Sequence, residues 1–259
     1  MARLQRAATA AAVSLFAMTP GLAAQDRGEF TAPRAARVTA AGARMARIEG
    51  RVGITEIQAR GTARASSRDL LDRIRLTAER RGDVAYVIVE LPEMRGDWSD
   101  DDDHASLDLI VEVPKGLALD VEDRSGDLEI RGVGPLDLVD HSGEATIEDV
   151  GGRLRVRDGS GELRIRDVRG DVTLEDGSGG VHLRTIRGSV TVDRDGSGEF
   201  EAEDVTGSIR IDSKGSGSVD VARVGGDFVV ARKGTGSIEH RDVRGRVEVP
   251  DRDRRRRRF

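Results

Sequence analysis

Two interleaved glycine series constrain this chain more than any other feature. A glycine preceded by Ser or Thr recurs at positions 126, 143, 161, 179, 198, 217 and 236, at intervals of 17, 18, 18, 19, 19 and 19 residues. A second glycine recurs between them at 152, 170, 188, 207, 226 and 245, at intervals of 18, 18, 19, 19 and 19. Two series that lengthen together mark one structural unit repeated in space.

Each glycine opens the same pattern of glycine, any residue, apolar, any residue, apolar. The coil GELRIRDVRGDVTLEDGS, from Gly161 to Ser178, shows it in full. Leu163 and Ile165 alternate with Glu162, Arg164 and Arg166, and Val172 and Leu174 alternate with Asp171, Thr173 and Glu175. Period-two alternation predicts strands with one buried face. Val168, between the two strands, is expected to plug the core edge at the tighter turn. The step from first to second strand is constant at 7 residues, as from Ile165 to Val172 and from Val221 to Phe228. The other step grows from 7, Val156 to Leu163, to 8, Val192 to Phe200. The extra residue is therefore expected in the Asp-Gly-Ser-Gly turn, where Asp and Ser can hydrogen-bond the turn backbone.

These features predict an all-β fold: a parallel β-solenoid, or β-helix, with 17–19-residue coils and two strands per coil. Ile165, Leu174, Leu183 and Val192 should point inward and stack on their equivalents one coil away, with Arg164 and Thr173 outward. Coils must stack because one coil alone cannot fold. It buries a handful of aliphatic side chains at ~1.5–3 kcal/mol each, against ~1–2 kcal/mol of backbone entropy for every residue ordered. Open ends expose strand edges and need covers. Residues 44–115 read as an irregular N-terminal β layer capping one end, and 116–250 as the repeats. In the layer, Ile48 to Ile57 suggest a strand pair around Gly50 and Gly53. Ser66 to Leu71 suggests a helical turn capped by Ser66 or Ser67. Residues 74–91 suggest a hairpin turning at Arg81-Gly82-Asp83, and Leu107 to Val113 a strand ended by Pro114 and Gly116.

The N-terminus reads as an address. Residues 1–24 place Arg3 and Arg6 before an apolar run, Ala7 to Met18, closed by Ala23 and Ala24. That order is a secretory signal peptide, and the run is short of the ~20 apolar residues that span a bilayer. The mature chain is expected to begin near Gln25, exported, without a transmembrane segment, and periplasmic, outer-surface associated or secreted. Residues 25–43 read as a flexible leader.

Composition excludes several chemistries. The chain has no cysteine, hence no disulfide, thiolate metal site or thiol nucleophile. Its 42 basic and 47 acidic residues leave a net charge of −5, without the basic excess that points to nucleic acid. Aromatic residues make up 3%, so the core must be aliphatic and aromatic platforms for sugars are lacking.

The stretch Val111 to Val133, VEVPKGLALDVEDRSGDLEIRGV, resembles the entry to a bacterial adhesin-like domain, a family of unknown function common in exported proteins. Pro114, Lys115 and Gly116, then Ser125-Gly126, match its layout of an irregular β layer followed by glycine-led coils. The resemblance covers roughly residues 44–249. It implies a β-solenoid in the envelope or outside it and brings no catalytic motif.

Candidate sites are few. The acidic loop Asp97 to His104 could offer Asp100, Asp101, Asp102 and Asp103 as hard oxygen ligands for Ca²⁺, but it lacks EF-hand spacing and reads as a solvated loop. Ca²⁺-binding nonapeptide repeats also use about 18 residues per coil and place Asp two residues after the glycine. Here that position holds Leu163, Val181, Phe200, Val219 and Ile238, so turn-bound Ca²⁺ of that kind is rejected and chelators are expected to leave stability unchanged. His104, His141, His182 and His240 fall in different coils or loops. Glu199, Glu201 and Glu203 share one outward face, and with Arg164, Arg166 and Arg184 suggest a surface charge ladder. In the Arg-rich tail, 251–259, Arg254, Arg255, Arg256, Arg257 and Arg258 could touch an anionic polymer or lipid head groups, or simply be solvated.

No cofactor is implied. The reading that fits best is a non-enzymatic, adhesin-like envelope or extracellular interaction protein with a rigid charged surface. Two others stay open: a polysaccharide-active β-helix enzyme, and a self-assembling structural element of the envelope.

Overall fold

The computed structural model describes residues 11–18, 33–40, 42–92 and 104–250. Two sheets, of 11 and 12 strands, face one another across a shared aliphatic core. From Ala118 onward every coil sends one strand to each sheet, and successive coils pair in parallel. The inward columns are those the alternation predicts. Leu174 pairs with Val192 and Ile165 with Leu183, and all four are essentially inaccessible to solvent.

The Ser-Gly glycines are required at one corner. Gly161 has φ +140°, and a Cβ there would lie 1.6 Å from the carbonyl oxygen of Gly143 in the coil below. No other residue lets successive turns approach so closely.

The two corners differ. At the constant-step corner a non-glycine residue adopts a left-handed conformation in each of six coils: Asp149, Asp167, Thr185, Asp204, Arg223 and Asp242, with φ between 51° and 60°. This kink breaks the alternation, so that the next residue faces in again. Val150, Val168, Ile186, Val205 and Val224 form a buried column there. Val168 is thus the expected plug.

At the other corner the extra residue of the longer coils sits one step earlier than expected. The register between Val172–Asp176 and Val190–Ser197 shifts after Leu174, where Glu175 aligns with Arg194 and Asp176 with Asp195. The insertion is a β-bulge at the strand end, and the Asp-Gly-Ser-Gly turn keeps its length. A bulge absorbs one residue locally, whereas a longer turn would break the stacking of its glycines.

The cap is more intricate than the sequence suggests. Ala35–Ala40, inside the span read as a flexible leader, is a core strand of the second sheet. It lies between Val84–Glu90 and Ala118–Asp123, with Ala36, Val38 and Ala40 buried. With Met45–Arg51 it forms a first coil. The later strands Val84–Glu90 and Ala105–Pro114 then slide beneath that coil. Met45–Arg51 and Gln58–Ala65 are not paired with each other; both pair with Ala105–Pro114, in parallel and antiparallel respectively. The expected hairpin forms as Arg75–Arg81 against Val84–Glu90. The helical turn is Arg68–Arg73, capped by Ser67 accepting from the Leu70 amide at 3.3 Å. Ala11–Met18, within the run read as a signal peptide, pairs antiparallel with Gln58–Ala65. Among the described residues no helix is long and apolar enough to cross a membrane.

Candidate functional site: a buried carboxylate column

The strand-to-turn pattern of the second sheet puts an aspartate three residues before each Ser-Gly glycine from Gly126 to Gly198, and a lysine before Gly217 and Gly236. Strand pairing stacks these residues: Asp123 on Asp140, Asp140 on Asp158, Asp158 on Asp176 and Asp176 on Asp195. Asp195 pairs with Lys214, and Lys214 with Lys233. Ala40 occupies the position before Asp123. The expected interaction with the turn backbone is present but weak: the amides of Arg124 and Ser125, of His141 and Ser142, and of Gly159 lie near Asp123, Asp140 and Asp158, without hydrogen bonds of ordinary geometry. Alternation carries them inward, and Asp123, Asp140, Asp176 and Asp195 are 1–2% exposed.

Both carboxylate oxygens of Asp123, Asp140, Asp158 and Asp176 are buried and accept no hydrogen bond of ordinary geometry, although the Asp158 and Asp176 carboxyls face one another within reach of a shared proton. Only Asp195 is compensated. The Lys214 ammonium, itself fully buried, lies 2.8 Å from Asp195 Oδ1 and donates to the carbonyl of Gly198, also at 2.8 Å. Buried charge is costly without such partners, so burial pushes the column's acidities up. Asp123 rises to about 7, first through burial and then through its neighbour Asp140. Nearby turn amides of Arg124 and Ser125 pull it down, without closing hydrogen bonds of ordinary geometry. Asp140 rises to about 6 by burial and the charge of Asp158. Asp158 and Asp176 titrate as a pair, and burial raises both. Burial raises Asp195 too, with Lys214 pulling it back.

The outer faces carry the opposite arrangement, charges paired in solvent. Arg164 bridges Glu144 and Glu162, and Arg166 meets Glu148. His182 Nδ1 is 3.0 Å from Glu201, and Arg184 is 3.4 Å from Glu203. Arg223 joins Glu203 to Asp204. A surface charge ladder is present, but of the expected members only Arg184 and Glu203 pair with each other; Arg164 and Arg166 take Glu144, Glu162 and Glu148 instead, and Glu201 takes His182. Glu199 instead accepts from the Ser218 hydroxyl. Lys115, singled out in the entry stretch, lies 2.9 Å from Asp149 on the left-handed corner and holds that carboxyl below its ordinary value.

The remaining sequence candidates do not assemble a site. Asp100, Asp101, Asp102 and Asp103, and Arg254 to Arg258, lie outside the described residues. His141 sits on the Asp123 carbonyl at 2.9 Å, while the His240 ring lies 6.2 Å from that of Phe228. Among the described residues no three His, Asp or Glu converge on one point as a metal cluster.

With this geometry in view, comparison with known proteins becomes specific. The model of the Toastrack DUF4097 family matches residues 82–245, most of the chain. The chain belongs to the Toastrack DUF4097 family. No curated protein matches it. Solved structures similar to this Toastrack chain include a candidate adhesin from Bacteroides fragilis NCTC 9343, at 11% identity and a TM-score of 0.41, covering 94% of this chain and 98% of that one. A candidate lipid binding protein from Parabacteroides distasonis ATCC 8503 shares 11% identity with a TM-score of 0.44, covering 89% and 96%. A candidate cell adhesion protein from Clostridium sporogenes ATCC 15579 shares 11% with a TM-score of 0.36, covering 90% and 99%. At such scores these likenesses carry no argument about what this Toastrack chain does.

Proposed function

We propose that the chain is an exported, non-enzymatic, adhesin-like interaction protein of the cell envelope or exterior. The observation that supports this is the outer face of the solenoid. In-register Arg, Glu and His side chains alternate along it from Glu144 to Arg223. A stacked, repetitive scaffold holds these charges at fixed spacing, which suits recognition of an extended partner that itself repeats, such as an anionic envelope polymer. Export rests on residues 1–24, read as a signal peptide. N-terminal sequencing of fractionated protein should find a chain beginning near Gln25 outside the cytoplasm.

The test of function is a screen of the mature protein against immobilised envelope polymers, glycans and anionic lipid vesicles. Salt-sensitive binding is expected, falling about tenfold or more when Arg164, Arg166 and Arg184 are together replaced by Glu. Turnover of a polysaccharide with released product would overturn the reading, as would binding indifferent to the charge reversal.

A further inference from the structure

Four consecutive aspartates, Asp123, Asp140, Asp158 and Asp176, lie in the interior with no cation beside them and no hydrogen bond of ordinary geometry to a carboxylate oxygen, and the Asp158 and Asp176 carboxyls face one another closely enough to share a proton. One coil further on, the chain supplies its own cation at the same corner. The Lys214 ammonium is held 2.8 Å from the carboxylate of Asp195 and 2.8 Å from the carbonyl of Gly198 in the coil beside it. This shows what the gap between two coils offers a positive charge: a carboxylate from the column and the carbonyl of the glycine three residues later. Asp123, Asp140, Asp158 and Asp176 have the corresponding glycines at 126, 143, 161 and 179.

We propose that this column holds two Ca²⁺ ions, one in the gap between Asp123 and Asp140 and one in the gap between Asp158 and Asp176, each lying between two coils and held by their two carboxylates and turn carbonyls. Four facts fit. All the donors are hard oxygens, the kind Ca²⁺ and Mg²⁺ take. Parallel coils stand ~4.8 Å apart, so an ion midway lies ~2.4 Å from each layer, inside the Ca²⁺–oxygen range and beyond that of Mg²⁺. Four carboxylates are balanced by two divalent ions, while the fifth, Asp195, already has Lys214. Among the described residues no three carboxylates meet at a point, so each ion would take its carboxylates pairwise from adjacent coils. These sites lie three residues before the glycine, at a different position from the nonapeptide-repeat ligands rejected above, and they reverse the sequence-based expectation that chelators leave stability unchanged. Because the column is enclosed, binding is coupled to folding.

The mature protein, refolded with CaCl₂ at pH 8 and gel-filtered in Ca²⁺-free buffer, should retain about two Ca²⁺ per chain by elemental analysis, by the charge balance above. Its melting temperature should drop by roughly 5 °C or more in EDTA and recover with Ca²⁺ but not with Mg²⁺. Asp158→Asn, nearly isosteric, should bind less Ca²⁺ and lose most of the EDTA response. Asp167→Asn, at the opposite corner, should change neither. Protein that retains no Ca²⁺ and melts identically in EDTA and CaCl₂ would overturn the proposal and leave protons as the column's counter-charge. Should Asp158→Asn fail to fold, the wild-type stoichiometry and EDTA response alone decide. None of these readouts depends on the protein's binding partner.

Discussion

Each coil turns twice, and its two corners close the same core with opposite chemistry. At one, a left-handed residue swings an aliphatic side chain inward, stacking Val150, Val168, Ile186, Val205 and Val224. At the other, a glycine-rich turn swings in a carboxylate, stacking Asp123 to Asp195 and then Lys214. The aliphatic corner is stabilised by burial alone. The carboxylate corner carries a desolvation cost that a counter-charge or protonation must offset. A chain needing nothing but stability would place apolar residues at both, and this difference is what motivates the proposal that the carboxylate corner takes a cation.

The largest expected effect comes from removing the built-in cation. Lys214→Met keeps much of the side-chain volume and leaves Asp195 buried and alone. In EDTA at pH 8 it should cost ~3–5 kcal/mol in denaturant unfolding. The penalty should shrink as pH falls, because burial raises Asp195 and favours its neutral form once Lys214 is gone. A pH-independent penalty would mean that Lys214 acts by packing alone. The whole column predicts the same direction. Carboxyls whose folded acidity lies above the ordinary 3.8, at about 7 for Asp123 and about 6 for Asp140, bind protons more tightly folded than unfolded. Their contribution is fully present below pH ~4 and is lost as pH rises toward ~7, by linkage. Asp149 and Asp204, held low by Lys115 and Arg223, run oppositely and lose their contribution as pH falls below 4. Metal-free protein should therefore melt highest in mild acid. A melting temperature that rose steadily from pH 5 to pH 8 in EDTA would contradict the protonated column.

The aliphatic corner should respond only to volume. Ile186→Ala removes a fully buried side chain from the column and should cost ~2–5 kcal/mol at any pH. Leu174→Ala, in the middle of a strand, should fall in the same range. If Ile186→Ala proves as pH-sensitive as Lys214→Met, the contrast between corners is lost.

A subtler effect lies in the backbone of that corner. Asp tolerates the left-handed region better than a β-branched residue does, yet Thr185 adopts it at φ 59°. Thr185→Asn should stabilise the chain by ~1 kcal/mol, the scale of strain at such positions. A destabilisation would show that the Thr185 side chain does something there that Asn cannot reproduce.

The architecture was largely written in the sequence because the repeat samples it many times over. Glycine spacing gave the coil, and alternation gave the inward columns down to Leu174 and Val192. The N-terminal layer has no repeat to average over, and its first coil is completed by strands some forty residues later. Ala35–Ala40 consequently reads as leader when taken alone. The carboxylate column was hidden for another reason. Asp before Gly-Ser-Gly is ordinary turn chemistry, and only the phase of the alternation distinguishes an inward Asp176 from an outward one. That phase was available: Val172, Leu174 and Asp176 are spaced by two. So was the switch from Asp to Lys at 214 and 233. The left-handed corner had its own signal, an Asp before the plugging aliphatic at 149, 167, 204 and 242, blurred by Thr185 and Arg223.

The smallest expected effect serves as the control for all the others. Thr173 lies between Val172 and Leu174 on one strand and pairs with Thr191 in the next coil, half-buried on the outer face. A side chain there meets its neighbours above and below but no core, so Thr173→Ala should change stability by no more than about ±0.5 kcal/mol. Leu174→Ala, one residue on, should exceed it several-fold, because a one-residue step along a strand exchanges the solvent face for the core. The pair tests the register directly. Equal effects would place both side chains in comparable surroundings, which no two-sheet stack in this register allows. The inward phase would then be wrong at Leu174, and with it at Asp176, two residues along the same strand. The carboxylate corner therefore stands or falls with this contrast, measured by denaturant melts of two neighbouring alanine variants.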